Sequence, residues 1–176
     1  MLDLNNGTDT ILNRGSDPCV KIRRAETRDI PALLALLSQV LELHAKIRPD
    51  IFVPGTTKYT ETALAALLAE EEKPVYVAVD AVDRVLGYAF CVLKHAPAGG
   101  FIRSVTVMYI DDLCVDEAAR GRGLGRMLFQ HVTAEARRLG CYEITLNVWE
   151  GNDSARHFYE SLGMSPKSTQ MELILP

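Results

Sequence analysis

"DDLCVDEAARGRGLGRMLFQHVTAEARRLG", residues 111–140, is the stretch on which the reading of this chain turns. Its middle, "RGRGLG" from Arg120 to Gly125, alternates glycines with arginines and a leucine directly before a helical run. Upstream, "RSVTVMYIDDLCV" reads as a long strand with two acids, Asp111 and Asp112, in its second half. Downstream, Leu124, Leu128, Val132 and Leu139 recur as an inward helical face, and Gly140 is a natural stop. A bare, positively charged turn at the mouth of a helix suits an anion. Glycine lets the backbone approach closely, and the helix N-terminus presents free N–H groups. Arg120, Arg122 and Arg126 add charge for phosphate oxygens. Two common phosphate loops do not fit. The dinucleotide pattern G-x-G-x-x-G fails because Arg126 stands at its third glycine, and a Walker loop lacks its terminal Gly-Lys-Ser/Thr. On the residues alone the loop is either a pyrophosphate cradle or a glycine-rich turn with solvated arginines.

Outward from this stretch, strands and helices are mixed. "CVKIRRA" predicts a first strand, and "ETRDIPALLALLSQVLELHAKI" a helix with Thr27 as N-cap. After the Pro/Gly-punctuated loop "RPDIFVPGTT", "YTETALAALLAEEE" predicts a second helix. "PVYVAVD" and "VLGYAFCVLK" are strands joined by a short hairpin, and "CYEITLNVW" is a later strand. "NDSARHFYESLG" is a short helix with Asn152 as N-cap, and "KSTQMELIL" a last strand. Hairpins on one side and a strand–helix–strand crossover on the other predict a three-layer α/β domain with a mixed sheet. Residues 1–18, rich in Asn, Asp, Gly and Thr, read as an arm before a domain spanning 19–176.

Bulk properties narrow the function. The 176 residues fit one domain, with 48% hydrophobic and 24% charged residues. A net charge of -4 argues against a nucleic-acid binder. No apolar run reaches the ~18 residues of a membrane span, and the N-terminus lacks the pattern of a secretory signal. Cys19, Cys91, Cys114 and Cys141 have neither metal nor redox spacing, which suits reduced packing cysteines in a cytoplasmic protein. No metal-ligand cluster is expected.

The order strand, R-x-x-G-x-G, helix, strand, then N-x-x-A-x-x-x-Y-x-x-x-G resembles the GNAT superfamily of acyl-CoA-dependent N-acyltransferases. Here these parts read "LCVDEAARGRGLGRML" and "NDSARHFYESLGM", and the resemblance runs from about Val20 to the C-terminus. It implies a GNAT fold: a mixed, mostly antiparallel sheet whose parallel strand pair splays to hold acetyl-CoA. It implies that main-chain groups of Leu113, Cys114 and Val115 meet the acetyl and pantetheine portions. Arg120, Gly121, Arg122, Gly123, Leu124, Gly125 and Arg126 would hold the pyrophosphate. Asn152 would reach the cofactor, and Tyr159 would protonate the leaving thiolate. An N-cap role for Asn152 and a core-packing role for Tyr159 are the plainer alternatives.

The acceptor side is less legible. Some relatives that acetylate protein N-termini carry a glutamate where Asn147 stands, and asparagine is no base near neutral pH. Asp111 and Asp112 resemble an acidic pair of diamine acetyltransferases and are the candidate acids, with water as the alternative base. Strand alternation sends their side chains to opposite faces, so one of them leads into the acceptor site; Asp111 ranks first because it shares strand parity with Leu113 and with Tyr109, where some relatives carry a catalytic acid. His44, Phe52, Trp149 and Tyr88 are candidate pocket liners. The expected activity is N-acetylation of a primary amine by direct attack in a ternary complex, the acceptor being a small cationic amine. A protein lysine or N-terminus is the alternative, and a non-catalytic acyl-CoA sensor a more distant one. Domains of this kind often dimerise, so a homodimer stays open.

Overall fold

Branched and aromatic residues alternate through three long segments and build the centre of one sheet. In the computed structural model, which describes residues 19–96, 99 and 103–175, these are β2 (Val75–Val79), β3 (Val85–His95) and β4 (Thr106–Val115). With β1 (Lys21–Arg24) and β5 (Glu143–Leu146) they lie in the order β1-β2-β3-β4-β5. The first four strands pair antiparallel, and β4 pairs parallel with β5. The arm expected at 1–18 lies outside the described residues.

Helices α1 (Ile30–Ile47) and α2 (Glu61–Leu68) cover one face. Their Leu33, Leu36, Leu37 and Leu64 pack with Val75, Val77, Tyr88, Phe90 and Cys114 of the sheet. On the other face, Leu124, Leu128 and Val132 of α3 (Leu124–Arg138) pack with Tyr76, Ala78, Met108 and Ile110. Tyr159 of α4 (Asp153–Glu160) joins that second core. This is the mixed three-layer α/β architecture. Each fully buried leucine contributes about 1.5–3 kcal/mol. The segment 27–47 is long and apolar enough to cross a membrane by length and composition, but its Ile30, Leu33, Leu36 and Leu37 are buried.

Four local expectations are corrected. Thr27 does not cap α1. It opens a 3-10 turn at Thr27–Asp29, where the Glu26 amide donates to Asp29 Oδ2 at 2.8 Å and Arg23 anchors the same carboxylate at 2.7 Å. Leu139 is 39% exposed rather than inward, because α3 ends at Arg138. The strand expected over "CYEITLNVW" stops at Leu146. The expected last strand is absent. Among the described residues no backbone hydrogen bond ties 165–175 to the sheet, so apolar alternation there has no edge to pair with. Met171, Leu173, Ile174 and Leu175 are 71–84% exposed.

The fifth correction bears on function. Phe90 pairs with Asp112 and Cys91 with Ile110, leaving Asp111 as an extra residue in β4. This bulge cancels the alternation expected between the two acids. Asp112 shares the face of Phe90, and Asp111 meets Lys58 on the loop before α2. Both carboxylates therefore lie on the α1/α2 face.

Candidate active site

β4 and β5 part at the bulge. Their parallel pairing runs from Val107 with Glu143 to Ile110 with Leu146. Beyond it β4 continues to Val115 with no strand on that edge among the described residues, so its main-chain groups over Leu113, Cys114 and Val115 border an open gap. The side chain of Cys114 is buried away from the gap, and burial pushes its thiol up to about 12. What Cys114 offers the gap is backbone.

The chain then turns through the glycine loop. Gly121 and Gly123 have φ of 79° and 77°, a region that favours glycine. A Cβ on Gly121 would meet nothing within 4 Å, so the loop faces open space. Gly123 is the α3 N-cap without side-chain capping, and the N–H groups of Leu124, Gly125 and Arg126 have no acceptor inside the helix. The Leu124 side chain is buried, so again the backbone faces outward. Gly125 serves a further purpose: a Cβ there would approach the Phe158 ring to 3.1 Å, which lets α4 pack on α3. Arg120 lies 3.5 Å from Glu117, and the side chain of Arg126 is exposed. Arg122 stands between the two positive-φ glycines. Unoccupied amides, a helix N-terminus and basic side chains fit a pyrophosphate.

Helix α4 packs against α3 through Phe158 and Tyr159. Asn152 Oδ1 accepts from the Ala155 amide at 3.2 Å, the N-cap bond expected from sequence. Tyr159, two turns on, packs against Phe129 at 6.2 Å and Phe158 at 5.0 Å between ring centroids. Burial, with Asp112 second, raises its phenol above the ordinary range, so it stays protonated near neutral pH. Among the described residues its hydroxyl makes no hydrogen bond to protein.

The two acids differ in state although they share a face. Asp112 is partly buried and accepts from the Tyr88 hydroxyl at 2.9 Å. Burial, against the opposing pull of Tyr88 and Lys58, pushes its carboxyl up to about 6. Tyr88 is fully buried, so it is a support for Asp112 and not the pocket liner suggested by sequence. Asp111 is 32% exposed and pairs with Lys58 Nζ at 2.7 Å. Burial opposes the Lys58 charge, but Asp111 holds its ammonium above the ordinary value.

Aromatic contacts are made by the α1–α2 connection, β3, β4 and the segment after β5. Phe52 lies 5.1 Å from His44 and meets Trp149 edge-on at 5.4 Å, and the Arg48 guanidinium sits 5.6 Å over the Trp149 ring. Burial and Lys58 lower the His44 pKa. Tyr59 stacks on Phe90 at 6.0 Å. Asn147, where β5 departs, donates to the Tyr109 hydroxyl at 3.2 Å, and Lys94 Nζ lies 3.3 Å over the Tyr109 ring. Lys58, Lys94 and Tyr59 were not singled out by sequence. Their partners are distant in the chain, 53 residues for Lys58 and Asp111, and no local pattern announces them.

A splayed parallel pair, an amide-lined glycine loop and a tyrosine from the next helix define a class of protein that takes a group from a pyrophosphate-bearing carrier. Residues 37–164 match the acetyltransferase (GNAT) family. Glucosamine 6-phosphate N-acetyltransferase 1 of Oryza sativa subsp. japonica is 34% identical over 161 residues, covering 90% of this chain and 89% of the relative. The peptidyl-lysine N-acetyltransferase YjaB of Escherichia coli is 32% identical over 52% of this chain and 50% of its own. A tetramutant of the BH1408 protein from Bacillus halodurans superposes with a TM-score of 0.84 at 34% identity, covering 88% of this chain and 99% of that one. The chain belongs to the acetyltransferase (GNAT) family and is an N-acetyltransferase.

Proposed function

We propose that this enzyme moves the acetyl group of acetyl-CoA onto a small primary amine, by direct attack within a ternary complex. Leu113, Cys114 and Val115 then offer main-chain groups to the thioester and pantetheine, an N–H among them stabilising negative charge on the carbonyl oxygen. The amides of 121–126 and the three arginines hold the pyrophosphate, and Asn152 borders the same groove. Asp112 acts as the base for the incoming ammonium, directly or through water. Tyr159 donates its proton to the departing thiolate. The single observation that carries this reading is a carboxyl and a phenol beside one gap: Asp112, held by the Tyr88 hydroxyl at 2.9 Å where β4 bulges and parts from β5, and Tyr159, whose hydroxyl makes no hydrogen bond to protein among the described residues.

Asp111 fits the counter-charge of a cationic acceptor, and the aromatic wall of Phe52, Trp149 and Tyr59 fits its body. Glucosamine 6-phosphate, on which several relatives act by name, is the first acceptor to try. A lysine side chain is the second, because Lys58 already seats an ε-ammonium on Asp111. The test is release of free thiol from acetyl-CoA with a panel of glucosamine 6-phosphate, spermidine, an aminoglycoside and a lysine peptide. We expect amine-dependent release with at least one of the small amines. Release with the lysine peptide alone would move the acceptor assignment to protein.

Two properties complete the proposal. Four large apolar residues exposed on 171–175 are an ill fit to an isolated monomer, so a second copy is the proposed cover and the homodimer the proposed state. Sedimentation of the full chain against a chain ending at Ser165 tests this, the shorter form being the monomeric one. The cytoplasm, where acetyl-CoA is available, is the proposed compartment.

A further inference from the structure

We propose that the enzyme acetylates its own Lys58, within a single molecule, and thereby clears its acceptor site. The inference rests on the reading of the β4–β5 gap as the acetyl-transfer site.

The observation behind it is an amine of the chain already seated where an acceptor amine is needed. Lys58 Nζ lies 2.7 Å from Asp111 Oδ2, and Asp111 is the bulge residue at the point where β4 and β5 part. The neighbouring residue in β4 is Asp112, the candidate base, and the segment expected to hold the thioester begins one residue later. The ammonium also sits 5.5 Å from the centre of the Tyr59 ring, so an aromatic face and a carboxylate hold it together. A carboxylate beside an aromatic wall is what a small ammonium acceptor would require.

The position of Lys58 in the chain suits movement. It belongs to the exposed connection between α1 and α2, in which residues 53–58 are all exposed. That connection is tied down by few bonds: the Gly55 amide to Glu42 Oε1 at 2.8 Å, Thr56 to the Val53 carbonyl at 2.7 Å and Thr57 to the Tyr59 carbonyl at 2.8 Å. A partly exposed ion pair of this kind is weak, so thermal motion breaks it readily. Lys94 provides the contrast. Its Nζ lies over the Tyr109 ring and has no carboxylate partner among the described residues, so it has no group to take its proton.

The step balances without any further reactant. Released from Asp111, Lys58 loses one proton from its ammonium to Asp112, directly or through water, and Asp112 passes it to solvent. The nitrogen lone pair forms the N–C bond at the thioester carbonyl, and the C–S bond breaks. Tyr159 protonates the departing thiolate and is reprotonated from solvent, while the nitrogen gives up its second proton. The products are a neutral N-acetyl-lysine, free CoA and one net proton. Once neutral, the Lys58 side chain no longer competes for Asp111, and that carboxylate becomes open to the ammonium of an external amine.

The experiment uses the full chain with acetyl-CoA and no added amine, followed by intact mass and peptide mapping. We expect one acetyl group at Lys58, none at Lys94, and a first-order rate independent of protein concentration. Lys58→Arg should remove the label, and Tyr159→Phe should slow it by about 10²-fold or more, within the range of a lost positioned acid. An unlabelled Lys58 in protein that releases thiol with a small amine overturns self-acetylation and leaves the acetyltransferase reading intact. Equal labelling of Lys58 in Tyr159→Phe overturns it as well, because the reaction is then uncatalysed. A rate proportional to protein concentration overturns the intramolecular route. Protein that binds acetyl-CoA but neither labels itself nor releases thiol with any amine overturns both readings.

Discussion

The two sides of the gap are built by opposite means. On the α3 side the groups facing the gap are backbone: two left-handed glycines, a helix N-cap without a side-chain partner and amides left over by the first turn. On the α1/α2 side they are side chains, brought together from β3, β4, β5 and the α1–α2 connection, with charge held by Asp111, Asp112 and Lys58. A backbone site suits a constant group, such as the pyrophosphate proposed for it, with little dependence on which side chains surround it. A side-chain site can be altered one residue at a time, which suits an acceptor that differs between relatives. Substitutions in the glycine loop should therefore change cofactor affinity, and substitutions among the side chains flanking the gap, Tyr159 included, should change chemistry or acceptor affinity.

The largest effect should come from Tyr159→Phe, which keeps the packing on Phe129 and Phe158 and removes the donor. Single-turnover rates should fall by about 10²–10⁴-fold while acetyl-CoA affinity stays nearly the same. Undiminished single-turnover chemistry would return this residue to core packing. Asp112→Asn comes next and is read in two ways. The carboxyl titrates near 6 in the fold and near its ordinary 3.8 when unfolded, so the unfolded chain ionises first. Wild-type stability is therefore lost as pH rises from about 4 to about 6 and is level beyond. Relative to wild type, Asp112→Asn should gain up to about 3 kcal/mol at pH 8, at about 1.4 kcal/mol per pH unit of displacement, and almost nothing below pH 4. Denaturant unfolding at both pH values checks this. The same variant should lose the acid limb of activity near pH 6, and retention of that limb would point to water as the base.

Gly123→Val is the probe of the other side. A β-branched residue at φ of 77° is strained, and it would put a side chain on the loop proposed to hold the pyrophosphate. Calorimetry should show acetyl-CoA affinity weakened by roughly tenfold or more. Unchanged affinity in a folded protein would remove the loop from the cofactor site. The smallest effect is expected from Asp111→Asn. It should raise the KM of a cationic acceptor a few-fold, in keeping with the ~0.2–1 kcal/mol of an exposed ion pair, and leave acetyl-CoA affinity alone. A fall in cofactor affinity here would blur the division between the two sides.

That division also explains what could be read from the sequence. The loop from Arg120 to Arg126, the helix after it and the Asn152 cap are written in contiguous residues, because glycine, helix start and cap each act over a few positions. The order of elements was legible for the same reason. The relation between Asp111 and Asp112 was not. A bulge depends on how β3 and β4 pair across the sheet, and a single inserted residue reversed the parity rule that separated the two acids. Tyr88 reads as a pocket aromatic in isolation and becomes a buried donor to Asp112 only once β3 lies beside β4. Lys58 carries no signal in the neutral loop around it. The segment 167–175 has the alternation of a strand, but pairing needs an edge as well as a pattern, and no edge meets it among the described residues.

Hydrogen exchange read by mass spectrometry, with and without acetyl-CoA, tests most directly where the cofactor sits. Slowed exchange is expected at the amides of 113–115 and 121–126, with weaker protection in α4. In Lys58→Arg, which cannot acetylate itself at that position, the α1–α2 connection should change little without an acceptor. Protection that misses 121–126 and appears instead around α1 and α2 would contradict the central claim that the glycine loop and the parted strands hold acetyl-CoA.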